Sequence, residues 1–443
     1  MPRPETPEPG TSRATPPPRP AGPSSVFDLV RRHFSPRLAL AGSFAGRGAH
    51  EESAEGCRVT LSDGRRALDF GSYAVTLLGH RHPAVVAAVR DQLGLMPTST
   101  RGLANPTTAR AAETLSGYFG DVLPKVCFGL NGADAVEVAV KLARLATGRP
   151  RVLAVRGGFH GKSAGALSLT HHSAYRVGLF GNAADTAHLD PGDPGAFRRA
   201  LGAGEAAALV LEPVQGENGA FPLPLEVLRE WCAEARAHGT FVISDEIQCG
   251  LRRCGDRSPA LAAGLPVDAL LVGKALGGGV VPLSAVVCSP RMYAPLDDDP
   301  FLHSATFGGH PLSCAALPAA LGAVEGLAGH GETLSAALDT ALQALLGAHP
   351  EVVRTVRGRG LLRGLELCSP RAAGRVVVEL AAAGLLVSPC LSRPTTIRLL
   401  PPLVSTVRDI EEAAAILDTA LLAATADLDR APAATDHENR NRP

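Results

Sequence analysis

Five short apolar runs recur through the middle of the chain: "RVLAVRG" (151–157), "AAALVLEP" (206–213), "TFVISDE" (240–246), "DALLVGK" (268–274) and "SAVVCSP" (284–290). They are rich in valine and leucine and do not alternate with polar residues, the pattern of strands covered on both faces. Between them lie stretches such as "LEVLREWCAEARAHG" (225–239), with apolar positions at helical spacing and a glycine stop. Strand and helix repeated in this order predict an α/β fold, a mostly parallel sheet between two helical layers.

The flanks differ. "CRVTLSDGRRALDFGSYA" (57–74) predicts a strand, a turn at Asp63–Gly64 and a second strand. The C-terminal third carries long helical patterns such as "GETLSAALDTALQALLGAHP" (331–350), with "VRGRGLLRGLEL" (356–367) and "TTIRLLPPLV" (395–404) as candidate strands. The expected layout is a large three-layer α/β/α domain over 91–325 and a smaller α+β domain over 326–428. A segment over 26–90 is expected to pack with the small domain. The Pro-rich stretch 1–25 and the tail 429–443 read as disordered arms.

Composition narrows the function. Formal net charge is zero and only 4% of the 443 residues are aromatic, so neither nucleic acid nor an anionic membrane is the expected partner. The N-terminal stretch lacks the apolar core of a secretory signal, and no run of about 20 apolar residues is present to span a bilayer. Nine cysteines form no CxxC pair and complete no zinc site with histidine, so no metal is expected. They read as small buried residues of a reducing, cytoplasmic protein.

In an open parallel sheet, ligands sit beyond the carboxyl ends of the strands. Three charged residues fall there: Glu212, Asp245 and Lys274. Only four of the 43 basic residues are lysines, so Lys274 is a poor candidate for generic solubilising charge. Burial lowers a lysine's pKa readily and an arginine's hardly at all, which suits amine chemistry. A structural ion pair between strand-end acid and lysine is the plainer alternative. Two further motifs weigh against it. "NGADAVEVAVKLARLATG" (131–148) is an amphipathic helix with Asn131 as N-cap, Asp134 in its first turn and Gly148 as its stop, and its small entry residues Gly132 and Ala133 leave backbone N–H groups open to a phosphate. "GGFHGKSAG" (157–165) sets Phe159 and His160 on a glycine-rich loop where a flat side chain can stack on a ring. Phosphate site, stacking ring, acid and lysine together describe pyridoxal phosphate, whose aldehyde takes a lysine and whose ring nitrogen takes a carboxylate.

The chain resembles the class III, or ornithine-type, aminotransferases of pyridoxal phosphate fold type I over nearly all of residues 26–428. The resemblance rests on "LLGHRHPAVVAAV" (77–89), "NGADAVEVAVKLAR", "FHGKSAGALSLT" (159–170), "LEPVQGENG" (211–219), "ISDEIQCG" (243–250), "GKALGGG" (273–279), "TFGGHPLSCAA" (306–316) and "VRGRGLLRGLEL". Within the family, "GGFHGKSAGALSLT", "DDPFLHSATFGGHP" (298–311) and "TIRLLPPL" are similar to putrescine aminotransferase.

The resemblance implies a role for each matching residue. Lys274 would bond the cofactor aldehyde and shuttle the proton; Asp245 would pair with the ring nitrogen. Gln248 would contact the ring hydroxyl, and Phe159, with His160 beside it, would face the ring. Gly132 and Ala133 would donate to the phosphate, as would Thr306 from a partner subunit in a homodimer. Glu217 would sit near substrate and Arg398 would hold a carboxylate. The implied reaction is ping-pong transfer from an amine, diamine or ω-amino acid to a 2-oxo acid (2-oxoglutarate or pyruvate), in a specialised biosynthetic pathway. A decarboxylase or aminomutase on the same scaffold is the alternative. A dinucleotide-binding oxidoreductase has only "GRGLLRG" (358–364) in its favour, too late in the chain and without the acidic partner. The chain departs from the family's usual pattern at Asn131, Asn218, Cys249, Ser284 and His310, around the edges of the expected site.

Overall fold

The computed structural model describes residues 25–177, 185–202 and 204–429, so the arm over 1–24 and the tail over 430–443 lie outside the described residues. The chain divides into two units, residues 1–50 and 51–443. The first holds two helices, Val26–His33 and Pro36–Ala45, whose N-termini are capped by the side chains of Ser25 and Ser35.

The second unit is built on a seven-stranded sheet. Across it the strands run Lys125–Gly129, Ser284–Cys288, Ala269–Val272, Phe241–Asp245, Ala208–Leu211, Val152–Val155 and Thr186–Leu189. Ser284–Cys288 is antiparallel to both of its neighbours; the other pairs are parallel. All five expected runs are strands of this sheet. Their side chains fill three apolar clusters: Leu270, Val272, Ala285 and Val287 join the one that runs to the C-terminal helices, and Val152, Ala154, Val210, Ile243 and Leu271 pack on one side under helix Gly132–Thr147. Leu153, Val155, Leu209, Leu211 and Val242 pack on the other with Trp231 of helix Leu225–Ala237. Burial on both faces is the physical reason the runs are not amphipathic.

Two four-stranded sheets, with a two-stranded ribbon of Val214–Gln215 and Phe221–Pro222, complete the strands of this unit. Val353–Arg359, Leu362–Leu367, Thr396–Leu399 and Ser388–Pro389 form one sheet. In the other, Glu51–Glu55, Arg58–Leu61 and Arg66–Asp69 form a meander that Leu385–Leu386 extends in parallel, tying residues 51–69 to the C-terminal region. Among the described residues, no single helix is long and apolar enough to cross a membrane.

The helix that opens onto the strand ends has its start fixed by a reciprocal cap. Asn131 Oδ1 accepts from the Asp134 N–H at 3.1 Å, and Asp134 Oδ2 accepts from the N–H groups of Leu130 (3.0 Å) and Asn131 (3.2 Å). Gly148 ends it in the left-handed conformation (φ 67°), which glycine adopts without cost. Asn131→Ala should therefore lower stability by about 1 kcal/mol, while Asn131→Ser keeps most of it. The midpoint of urea unfolding measures both, and equal midpoints for the two variants would contradict the cap.

Candidate active site

The parallel strands end at a cavity of about 170 Å³ lined by Gly132, Ala133, Phe159, His160, Gly161, Glu212, Asp245, Ile247, Gln248 and Lys274. Each comes from the carboxyl edge of the sheet. Asp245 is the last residue of its strand, Glu212 follows Ala208–Leu211, and Lys274 stands two residues beyond Val272. Lys274 has a left-handed backbone (φ 46°), strained for a residue with a side chain.

Asp245 is buried and both its oxygens are engaged. Oδ2 meets His160 Nδ1 at 2.7 Å, and Oδ1 accepts from the Ile247 N–H at 3.2 Å. The imidazole of His160 is fully enclosed; burial works against its charge, but the bond to Asp245 outweighs this and raises its pKa. Among the described residues its Nε2 has no hydrogen-bond partner. Glu212 accepts from the Phe159 N–H at 2.8 Å, which fixes the loop carrying that ring. Burial, with the nearby Asp245 charge adding to it, pushes the Glu212 carboxyl up to about 8. Burial likewise pulls the Lys274 ammonium below its ordinary value, and the surrounding carboxylates Glu217, Asp245 and Glu212 oppose that only in part.

Beside the cavity, Arg398 and Glu217 form a buried ion pair through Arg398 Nη1 and Glu217 Oε1. Gln248 joins them: its Nε2 donates to Glu217 Oε1 at 3.1 Å and its Oε1 accepts from Arg398 Nη1 at 3.1 Å. The Leu391 N–H donates to Glu217 Oε2 at 2.9 Å. Burial penalises the Glu217 charge, but Arg398 and this N–H hold its pKa below the ordinary value.

Of the residues expected from sequence, Gly132, Ala133, Phe159, His160, Asp245, Gln248 and Lys274 line one cavity, and Glu217 and Arg398 are one hydrogen bond away through Gln248. Thr306 is exposed and lines a different cavity of about 390 Å³, together with Arg101, Asn105, Thr108 and His310. The departures from the family pattern have contacts of their own. Asn131 is committed to its cap, and Ser284 Oγ donates to the Asn131 carbonyl at 2.7 Å. Asn218 Nδ2 donates to Gln215 Oε1 at 2.8 Å, and the Cys249 thiol lies 3.9 Å from the Asp245 carbonyl. Sequence reasoning missed Tyr175, whose ring meets Phe159 edge-on at 6.3 Å. It lies on a short turn with no periodic signal, and the partner of its hydroxyl, Leu391, is 216 residues away. Seven of the nine cysteines are buried, and none is in a disulfide.

The residues fit pyridoxal phosphate. A lysine amine and a histidine-paired carboxylate line one cavity with a flat phenylalanine ring at its wall. The start of a 16-residue helix enters through Gly132, where a Cβ would lie only 3.0 Å from Ile247. Among the described residues, no cluster of three or more His, Cys, Asp or Glu side chains is placed to bind a metal.

The family model for class-III aminotransferases matches residues 48–421. The chain belongs to this family. Ornithine aminotransferase from Toxoplasma gondii ME49 is 30% identical to this aminotransferase, with a TM-score of 0.79 over 86% of this chain and 92% of that one. An amine transaminase from an uncultivated Pseudomonas species, solved with PLP bound, is also 30% identical, with a TM-score of 0.78 over 84% and 94% of the two chains. A transaminase from the marine bacterium Virgibacillus shares the fold at 22% identity, with a TM-score of 0.84 over 91% and 100%. The enzyme is thus a pyridoxal-phosphate-dependent transaminase of fold type I.

The Glu212 environment has a consequence for stability. An unfolded glutamate releases its proton near its ordinary value of 4.5, while the folded one keeps it to about 8. The folded state binds the extra proton across that window, so this group's contribution makes stability fall as pH rises through it. Glu212→Gln retains the acceptor for the Phe159 N–H and removes the titration. The thermal midpoint of the cofactor-free variant should fall less between pH 5 and 8 than that of the parent; parallel curves would contradict the assignment.

Proposed function

We propose that the enzyme moves an amino group from a primary amine, diamine or ω-amino acid to a 2-oxo acid such as 2-oxoglutarate or pyruvate, in two half-reactions at one cavity. Bound pyridoxal phosphate supplies an aldehyde that condenses with amines and a protonated ring that withdraws electrons from the bond to be broken. Lys274 would hold the aldehyde, Asp245 the ring nitrogen, Gln248 the ring hydroxyl and Phe159 a ring face. Gly132 and Ala133 would hold the phosphate from the helix start. Thr306 of a second copy would add to it in a homodimer.

The residues' own chemistry follows from their surroundings. Lys274 Nζ moves the proton to and from the substrate carbon that bears nitrogen. Burial, which disfavours its ammonium form, makes it a better base near neutrality. Asp245 Oδ2, braced by His160, keeps a fixed direction toward the cavity. Phe159 excludes water from one wall, and Glu212 holds that loop in place.

The observation that carries the reading of the substrates is the Arg398–Glu217 pair at the cavity's edge. A single site that takes an oxo acid in one half-reaction and an amine without a carboxylate in the other needs a guanidinium that is matched in both. With an amine bound, Glu217 neutralises Arg398. With an oxo acid bound, the substrate carboxylate takes Glu217's place in a bidentate pair, a geometry lysine does not reproduce. The similarity to an ornithine aminotransferase and to an amine transaminase supports donors of both kinds.

The experiment is single-turnover spectroscopy of the holoenzyme against a panel of diamines, ω-amino acids and 2-amino acids, following loss of the cofactor's visible absorption, then its return on adding an oxo acid. Amines and ω-amino acids should discharge the absorption and oxo acids restore it. Release of carbon dioxide, or turnover without a second substrate, would overturn the reading. Lys274→Ala should lower transfer by more than about a hundred-fold, and retained activity would refute its role.

A further inference from the structure

Tyr175 takes no part in the proposed chemistry, yet its contacts reach the residue that does the switching. It ends the short turn Ser173–Tyr175 and is half-buried. Its ring is held from three directions: Phe159 edge-on at 6.3 Å, the His172 ring at 5.3 Å, and the Lys162 ammonium 4.7 Å from its centroid. A ring so held has little freedom to redirect its hydroxyl, which donates to the Leu391 carbonyl at 2.8 Å.

Leu391 is therefore gripped at both ends. Its carbonyl takes the Tyr175 hydroxyl, and its N–H donates to Glu217 Oε2 at 2.9 Å. Neighbouring contacts lace the same segment down: the Ser392 N–H donates to the Glu217 backbone carbonyl at 3.0 Å, and the Cys390 thiol donates to the Gly216 carbonyl at 3.4 Å. The side chain of Glu217 thus has its two oxygens on different partners. Oε1 faces Arg398 and Gln248, while Oε2 faces an N–H whose residue Tyr175 fastens.

We propose that Tyr175 is a positioning residue that sets how readily Glu217 releases Arg398, and so how the enzyme divides its affinity between substrates with a carboxylate and amines without one. This rests on the reading of Arg398 as the carboxylate-binding group. The closed arrangement needs Glu217 where it is, because a buried guanidinium left without its partner is strongly unfavourable. The open arrangement needs Glu217 to give up both Arg398 and the Leu391 N–H. Fixing Leu391 favours the closed arrangement alone, so the hydroxyl of Tyr175 supports amine binding and opposes carboxylate binding.

Tyr175→Phe keeps the ring and removes only the hydroxyl. The binding probe is glutarate, a dicarboxylate with no carbonyl to react, titrated calorimetrically into the holoenzyme. Its dissociation constant should fall roughly five-fold, the weight of one neutral hydrogen bond. For the carboxylate-free amine that discharges the cofactor fastest, kcat/KM should fall. Opposite movement of the two is the signature, since a hydroxyl that merely steadied a loop would weaken both together. An unchanged glutarate constant, or both substrates weakened, overturns the proposal. Glu217→Gln opens the pair directly, so adding Tyr175→Phe to it should change glutarate binding no further; an additive effect also overturns the proposal. Arg398→Met separates the two readings. If it leaves glutarate binding intact, the assignment of Arg398 is wrong; if it weakens binding while Tyr175→Phe is silent, only the role of Tyr175 is wrong.

Discussion

An amine half-buried where a parallel strand ends, facing carboxylates that are themselves out of water, is the constraint on which the rest of the molecule turns. Such a group is stable only if the surrounding fold fixes its neighbours. Asp245 has a partner on each oxygen, Glu212 accepts from a backbone N–H, and Lys274 holds a left-handed backbone. All three sit at one edge because the strands that carry them, Phe241–Asp245, Ala208–Leu211 and Ala269–Val272, are parallel neighbours in one sheet. Parallel packing aligns strand ends, and helices on both faces keep water away from all but one edge. The same burial that weakens the lysine's ammonium raises the pKa of Glu212, so both groups are biased toward their neutral forms.

The C-terminal sheet carries Arg398 to the edge of the cavity. Arg398 lies in a central strand, Thr396–Leu399, paired to Gly364 on one side and Ser388 on the other. The paired strand fixes the face from which the side chain leaves, and Glu217 and Gln248 meet its guanidinium there. Under the proposed reading, the carboxylate side of the reaction is built on one sheet and the amine side on another. Segment 390–392, tied to residues 216–217 and to Tyr175, joins them.

Much of this was legible in the sequence where the signal is local. The five uninterrupted apolar runs are all strands of one sheet, the D-G turn closes a hairpin between Arg58–Leu61 and Arg66–Asp69, and Asn131 caps its helix. Strand-end positions alone brought Glu212, Asp245 and Lys274 to one cavity. Other elements were not read. Lys125–Gly129 and Thr186–Leu189 are edge strands with partly exposed, mixed compositions, and Glu51–Glu55 is mostly charged and exposed. Pairings over long stretches of chain left no local trace. His160 and Asp245 are 85 residues apart, Glu217 and Arg398 are 181 apart, and Tyr175 and Leu391 are 216 apart. Sequence named several of these residues but not the bonds between them, because those bonds exist only once distant stretches of the chain pack together. Thr306 lies apart from the others on this chain, at a separate cavity.

The claim at the centre is that Lys274 carries the cofactor covalently. Holoenzyme reduced with borohydride, digested and weighed by mass spectrometry tests it most directly. The account predicts a pyridoxyl phosphate adduct on the peptide containing Lys274 and on none containing Lys125, Lys141 or Lys162. Its absence from Lys274, or its presence on another lysine, would contradict the account.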